Sequence, residues 1–152
     1  MARTKLIAGR GVGLTWTAAF AAATLANANS IAGNVIDNSV ALDVFCDLSL
    51  FSGSNVNTAS PAYCSLYIYP LNQDGTTYGD GRFGTATGLP APTSYWIGNL
   101  GTGREAPNTN WSAVLRKVIM PPDKFKFVVW NFTGGTLATG NIYYRTYNRS
   151  VA

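Results

Sequence analysis

The sequence predicts an all-β fold, an antiparallel β-sandwich of the jelly-roll type with an extended N-terminal arm. Short runs in which apolar and polar residues alternate recur along the chain, and a period of two is typical of half-buried strands. Turn residues, chiefly Gly, Pro, Asn and Asp, separate these runs, and no long amphipathic helix is visible. The chain has 152 residues, which suits one domain with its own core. We divide it into an arm at residues 1–35 and a sandwich at residues 36–152.

The alternating runs give the predicted strands. They lie at residues 40–51, 63–71, 94–98, 111–120, 124–132 and 140–148. Residues 13–19 are expected to add an earlier strand, although residues 18–25 could instead form one or two helical turns. Pro121 and Pro122 end the run at 111–120, because proline lacks an amide donor and fixes its own backbone angle. The strands on either side of this short turn should therefore be antiparallel neighbours.

The same alternation predicts which side chains are buried. Phe125 and Phe127 share one face and are predicted core residues. Asp43 and Asp47 are predicted on the exposed face of their strand. Cysteines share the buried face with aliphatic neighbours in two runs: Leu42, Val44, Cys46, Leu48 and Leu50, and Cys64, Leu66 and Ile68. Buried thiols pack like small hydrophobes, and a disulfide between neighbouring strands remains an alternative.

The segment NQDGTTYGDG at residues 72–81 combines carboxylates, amides and glycines, which raises the question of a calcium loop. Such a loop needs Gly at its sixth position and a bidentate carboxylate at its twelfth. Starting from Asn72, those positions hold Thr77 and Phe83. The segment is therefore predicted to be a turn between strands, with no metal or other cofactor; weak adventitious calcium binding is the alternative.

The composition argues against an enzyme. The chain contains no histidine, which removes the commonest general base and metal ligand. The two cysteines are 18 positions apart, which does not match zinc-site spacing, and no phosphate-binding glycine motif is present. We expect no enzymatic activity.

Charge is sparse and collects at the two ends. Charged residues make up 12% of the chain and the net charge is +4, against a usual charged share of about a quarter. The basic termini are either ordinary solvated ends or a means of docking onto an acidic surface. No run of like charges or zinc-finger spacing favours specific nucleic-acid recognition. The first thirty residues have some features of a leader, but glycine and threonine interrupt them, and they are too polar for a membrane span.

Aromatic residues make up 12% of the chain. In the last predicted strand Tyr143 and Tyr147 lie on the face opposite Ile142 and Tyr144, so either both faces are covered or one is a binding surface. Exposed Trp and Tyr on a sandwich could also stack on sugar rings, which keeps a carbohydrate-binding module as an alternative. The other interpretation is that the aromatics fill the core or lie at protein interfaces.

Three segments carry a resemblance to a known group of proteins. PLNQDGTTYGDG at 70–81, MPPDKFKF at 120–127 and YRTYN at 144–148 resemble motifs of small virion proteins from tailed bacteriophages. The resemblance covers residues 36–150 and is greatest to head cement, or decoration, proteins. It implies a structural protein on the outer capsid surface, made in the host cytoplasm, that ties neighbouring capsomers together. Its implied partners are the major capsid protein and other copies of itself, as a dimer or trimer.

Basic and aromatic residues near the two ends are the candidate contacts with the capsid or a neighbouring subunit. They are Arg3, Lys5, Arg10, Trp16, Tyr143, Arg145, Tyr147 and Arg149. A tail or fibre-attachment protein is the alternative within the virion.

Overall fold

The computed structural model describes residues 4–5, 17–52, 63–78, 96–101, 111–147 and 150–151, and within these ranges it contains strands and turns but no helix. None of the described residues therefore forms a helix that could cross a membrane. The strands, numbered in chain order, are β1 (Thr4–Lys5), β2 (Thr17–Leu25), β3 (Ser30–Ala32), β4 (Ile36–Asp37), β5 (Phe45–Ser52), β6 (Tyr63–Pro70), β7 (Trp96–Gly101), β8 (Trp111–Ile119), β9 (Lys124–Phe132), β10 (Leu137–Tyr147) and β11 (Ser150–Val151).

Two antiparallel sheets pack against each other and form a β-sandwich. Sheet I has the strand order β2-β10-β5-β8, and sheet II has the order β3-β9-β6-β7, with β4 also paired to β9. This is the strand order of an eight-stranded jelly roll, in which two Greek keys are combined. The short strands β1 and β11 pair with each other. The predicted all-β sandwich is confirmed. The prediction that the strands on either side of Pro121 and Pro122 are antiparallel neighbours is wrong, because β8 and β9 lie in different sheets and the turn between them crosses from one sheet to the other.

The core lies between the sheets and follows the predicted alternation. Phe125 and Phe127 on β9 are fully buried, and their rings meet edge to face with centroids 5.3 Å apart. Cys46 on β5 and Cys64 on β6 are buried free thiols in different sheets, so the alternative of a disulfide is not realised. Burial raises the pKa of each thiol to about 12, which leaves both as small apolar packing groups.

Residues 17–32 take part in both sheets. Strand β2 pairs with β10, and β3 pairs with β9. Leu25 and Ala32 at the ends of these two strands are buried. The alternative of helical turns at 18–25 is wrong, because the hydrogen-bonding partner of this segment is a neighbouring strand. Part of the segment assigned to the arm thus completes the sandwich, whereas residues 6–16 lie outside the described residues.

Strand β5 begins five residues later than predicted, at Phe45. Leu42 and Val44 were predicted in the core, but both side chains are exposed. The chain at residues 38–44 turns outward before β5 starts, because its hydrogen bonds go to the Asn38 side chain and to residues 120–121. Strands β3 and β4 were not predicted, since two or three residues are too few to reveal a period.

The described part of the glycine-rich segment is a turn, as predicted. An antiparallel bridge joins Leu71 to Tyr78, and Gly75 has the positive φ of 70° that such a turn requires. The Oδ1 atom of Asp74 accepts the backbone N–H groups of Thr76 at 2.9 Å and Thr77 at 2.8 Å, and the Thr77 hydroxyl donates to Oδ2. The Thr77 hydroxyl and these amides lower the pKa of Asp74 to about 2.

Candidate functional site

Three of the exposed aliphatic side chains that the structure describes lie close together in sequence. We call residues 38–44 the aliphatic loop. Within it, Val40 is 91% exposed, Leu42 55% and Val44 47%. A single exposed aliphatic residue is ordinary, but three at alternate positions of one ordered loop form an apolar surface that a partner could cover.

The side chain of Asn38 holds the aliphatic loop in shape from beneath. Asn38 is only 2% exposed. Its Nδ2 donates to the backbone carbonyls of Asp43 and Pro121, both at 2.8 Å, and its Oδ1 accepts the Asp43 N–H at 2.9 Å. One buried amide therefore ties the two ends of the loop together and fastens them to the turn between β8 and β9.

Leu42 has a backbone conformation that is rare for its residue type. Its φ is 50°, in the left-handed region, where the Cβ of a non-glycine residue crowds the backbone. The Leu42 N–H donates to the Asn38 carbonyl at 2.9 Å, which holds this geometry. The left-handed backbone of Leu42 thus costs conformational free energy in a loop whose aliphatic side chains face outward. Residues in such sparsely populated regions of φ/ψ space cluster at binding sites.

The entry to the aliphatic loop is also fixed. The Asp37 Oδ1 accepts the Ser39 N–H at 3.0 Å and the Ser39 hydroxyl at 2.6 Å. The Ser39 hydroxyl and amide lower the pKa of the Asp37 carboxyl. At the exit, the Val44 carbonyl accepts the Met120 N–H at 3.0 Å. The exposed side chains are consequently carried by backbone that is hydrogen-bonded at both ends.

An apolar groove of about 420 Å³ lies at the β7–β8 side of the sandwich. Its lining includes Pro121, Pro122, Ile119 and Trp96, and the last two are 70% and 58% exposed. The groove shares Pro121 with the hydrogen bonds of the aliphatic loop. One end of the molecule therefore exposes apolar side chains from several elements.

The outer face of sheet I carries a buried acid that the sequence had suggested was exposed. Asp47 is directly opposite Arg145, whose Nη2 lies 2.9 Å from Oδ2. The Tyr147 hydroxyl and the Lys117 N–H each donate to Oδ1 at 3.2 Å, and Arg116 lies 3.8 Å from Oδ2. The expectation of an exposed Asp47 is wrong, because cross-strand neighbours cover and neutralise the carboxylate.

Opposing effects set the ionisation of Asp47. Burial favours the neutral acid and raises its pKa, but the hydrogen bonds from Arg145, the Lys117 amide and Tyr147, with the Arg145 charge, outweigh burial and lower the pKa below the ordinary 3.8. Burial and the Asp47 charge raise the pKa of the Tyr147 phenol. A bulge in β8 opposite Asp47 makes this arrangement possible, since it turns the Lys117 amide, at a φ of 59°, towards the carboxylate.

The predicted contact residues differ in their location and burial. Tyr147 is buried, stacks on Phe45 with centroids 5.8 Å apart and donates to Asp47, so it is a packing residue with little surface for a partner. Tyr143 and Arg145 are half-buried on the outer face of sheet I. The backbone of Lys5 pairs with β11. The remaining candidates lie outside the described residues: Arg3, Arg10, Trp16 and Arg149.

Several aromatic residues pack on the outer face of sheet II. Tyr67, Tyr69 and Tyr78 are buried there in a second apolar cluster. The buried Lys126 ammonium lies 4.0 Å from the centroid of the Tyr78 ring, a cation–π contact. These aromatics fill packing positions, whereas the Trp96 side chain is 58% exposed.

The described residues include one small polar cavity, of about 200 Å³, beside the aliphatic loop. Asp37, Asp43 and Arg145 contribute to its lining. In the part of the chain that the structure describes, no three His, Cys, Asp or Glu residues come together in a way that could hold a metal ion. Asp37 is already engaged by Ser39 and by Lys124, whose Nζ lies 3.7 Å away.

No protein-family model matches this sequence, and no curated protein matches it either.

The aliphatic loop was missed by sequence reasoning because its alternating aliphatic residues have the period of a strand. The signal for a loop was the pair of turn formers at its ends, Asn38 and Asp43.

Proposed function

We propose that this chain is a non-enzymatic structural protein of a tailed-phage virion, a cement protein that docks on the outer capsid surface and stabilises contacts between capsomers. The observation that carries the proposal is the aliphatic loop, a hydrogen-bonded segment that exposes Val40, Leu42 and Val44 to water. Apolar side chains fixed in this way gain free energy when a second protein covers them.

The size of this gain fits attachment in many copies. Fully burying a Val or Leu side chain contributes about 1.5–3 kcal/mol, and association costs several kcal/mol of lost freedom. One loop would therefore give weak binding. On a closed lattice, a subunit that touches two neighbouring capsomers gains avidity from each added contact without any single contact being strong.

Three further observations support the proposal. The jelly roll is a common architecture of viral capsid proteins, although a fold alone does not determine a function. The segments at 70–81, 120–127 and 144–148 resemble virion-protein motifs. The low charge content of 12% also suits a protein whose surface is largely covered by others.

The test is attachment of the purified protein to capsid shells that lack it, measured by co-sedimentation. Val40→Asp and Leu42→Asp should each abolish attachment, since a carboxylate would have to be desolvated in the contact. Val114→Asp is the matched control, because Val114 is also an exposed aliphatic residue but lies on the outer face of sheet I. Wild-type affinity in both loop variants would disprove docking through the aliphatic loop.

The copy number in purified particles distinguishes the position in the virion. A cement protein should approach the abundance of the major capsid protein, as a repeated lattice requires. A small fixed number per particle would instead assign the chain to the tail or to fibre attachment. Absence from particles would contradict a virion role altogether.

A further inference from the structure

We propose that Trp96 and Asn99 form a binding site for a neutral sugar ring, independent of the aliphatic loop. Trp96 is 58% exposed at the start of β7. Its indole N–H donates to the Asn99 Oδ1 at 3.1 Å. The indole is therefore held in one orientation with its N–H already used, and what it offers to a ligand is its apolar ring surface.

A bulge in β7 places these two side chains together. Residues three positions apart in a regular strand point to opposite faces. Here Leu66 pairs with Gly98 but Tyr67 pairs with Trp96, so that Ile97 is the extra residue of a bulge. Trp96 consequently lies within hydrogen-bonding distance of Asn99, and bulges commonly re-aim a side chain beside a functional site.

Gly98, next to this bulge, has little room for a side chain. Its φ is 155°, and a Cβ built on it would lie 3.0 Å from Cδ2 and 3.1 Å from Cδ1 of Leu115 on the facing sheet. Any larger residue must displace Leu115 or change the backbone. The chain next to the bulge that carries Trp96 therefore lies close to the facing sheet.

The amide of Asn99 is oriented for a ligand. Its Oδ1 accepts a second hydrogen bond, from the hydroxyl of the buried Ser65 at 2.8 Å. The oxygen of this planar amide faces Ser65 and Trp96, so its Nδ2 group points the other way. Asn99 is exposed, and its Nδ2 group donates no hydrogen bond to any described residue. The site therefore combines a fixed aromatic surface with a fixed, neutral donor.

This combination fits a neutral pyranose. One face of a pyranose carries mainly C–H groups, which pack on an indole ring, while the hydroxyls at its rim accept hydrogen bonds from an amide. The net charge of +4 works against a cationic ligand, and the groups that define the site carry no charge to hold an anion. Trp96 also lines the groove of about 420 Å³, within the size range of small-ligand sites.

The experiment uses the full chain, labelled with ¹⁵N, and follows the Trp96 indole N–H and the Asn99 side-chain amide by NMR. The probes are neutral oligosaccharides of glucose in α and β linkage, N-acetylglucosamine, mannose and galactose. We expect at least one to shift both signals in a saturable manner. No saturable shift with any of them would overturn the proposal.

Two variants identify the atoms involved. Trp96→Ala should abolish the shift of the Asn99 amide. Asn99→Asp keeps the acceptor for Ser65 and Trp96 but removes the donor, and it should weaken binding about fivefold to tenfold, as expected for the loss of one hydrogen bond. Unchanged affinity in Asn99→Asp would show that the amide does not bind the sugar. Val114→Ala, on the other sheet, should bind sugar as the wild type does.

A protein partner is the competing occupant of the same apolar surface. A proline-rich peptide added in place of the oligosaccharides tests it, because aromatic-lined grooves also dock such segments. If the peptide shifts the Trp96 and Asn99 signals and no sugar does, the site is a protein contact and the sugar proposal is wrong. Trp96→Ala should still attach to capsid shells, so failure here leaves the cement role standing.

Discussion

Replacing Asn38 with alanine separates the shape of the aliphatic loop from its apolar surface. The substitution removes three hydrogen bonds from a side chain that is 2% exposed, two donated to the carbonyls of Asp43 and Pro121 and one accepted from the Asp43 N–H. Each buried hydrogen bond contributes roughly 0.5–1.5 kcal/mol net. Water can replace part of this at the half-exposed Asp43, so we predict that Asn38→Ala lowers the free energy of unfolding by about 2–3 kcal/mol.

Urea denaturation followed by tryptophan fluorescence measures this loss. Asn72→Ala is the matched control, because the Asn72 side chain also makes two donated hydrogen bonds, to the Thr77 hydroxyl and the Tyr78 carbonyl, both at 3.0 Å, but at an exposed position. Water competes there, and the cost should stay below about 1 kcal/mol. An equal loss of unfolding free energy in the two variants would refute the argument that burial makes the hydrogen bonds of Asn38 more stabilising.

The same variant tests what the fixed loop contributes to docking. Asn38→Ala leaves Val40, Leu42 and Val44 in place but releases the backbone that carries them, and ordering a mobile loop on binding costs affinity. We therefore expect weaker attachment to capsid shells even where the variant is fully folded. Attachment at wild-type affinity, together with the predicted loss of stability, would show that the loop does not need to be preformed.

Three further predictions concern the sandwich itself. The folded pKa of Asp47 is depressed, so the stabilisation from its carboxylate is present above the unfolded pKa of about 3.9 and is lost as pH falls through the folded pKa. The difference in unfolding free energy between wild type and Asp47→Asn, about 2 kcal/mol at neutral pH, should therefore shrink towards pH 2. A difference that stays constant with pH would contradict this prediction. Cys46 and Cys64, each with a pKa raised to about 12 by burial, should react with a disulfide reagent only after denaturant is added. Gly98→Ala should lower the midpoint of thermal unfolding because its Cβ would lie 3.0 Å from Leu115, whereas Gly101→Ala, with nothing within 4 Å, should leave it nearly unchanged.

The sequence predicted the core more accurately than the surface, and the reason is physical. Alternation reports which face of a strand avoids water, so Phe125 and Phe127 were assigned correctly from local residues alone. A polar residue on the other face can be solvated or paired, and alternation does not distinguish these. Asp47 is paired with Arg145, which is 98 positions away in sequence. Only the neighbouring position of β5 and β10 in sheet I reveals that partner.

The Trp96 site shows the same dependence on pairing between distant strands. From sequence, Trp96 and Asn99 are three positions apart and belong on opposite faces of a strand. Their contact follows from the register shift against β6, beside Gly98, where a Cβ would lie 3.0 Å from Leu115 of the other sheet. Neither the register nor the close approach has a local signature beyond a glycine within an apolar run.

The aliphatic loop is the case in which local pattern and tertiary structure disagree, and the disagreement is informative. Val40, Leu42 and Val44 have the period of a strand and would gain free energy from burial, yet hydrogen bonds from Asn38, including one to a carbonyl 83 positions away, hold them in water. Leu42 adds the strain of a left-handed backbone. Serine or asparagine at these positions would keep the loop and remove the exposed apolar surface, so for the isolated domain the aliphatic residues bring no advantage. A second protein surface that covers them would supply one, and this is the physical reason to look for the function of the chain at this loop.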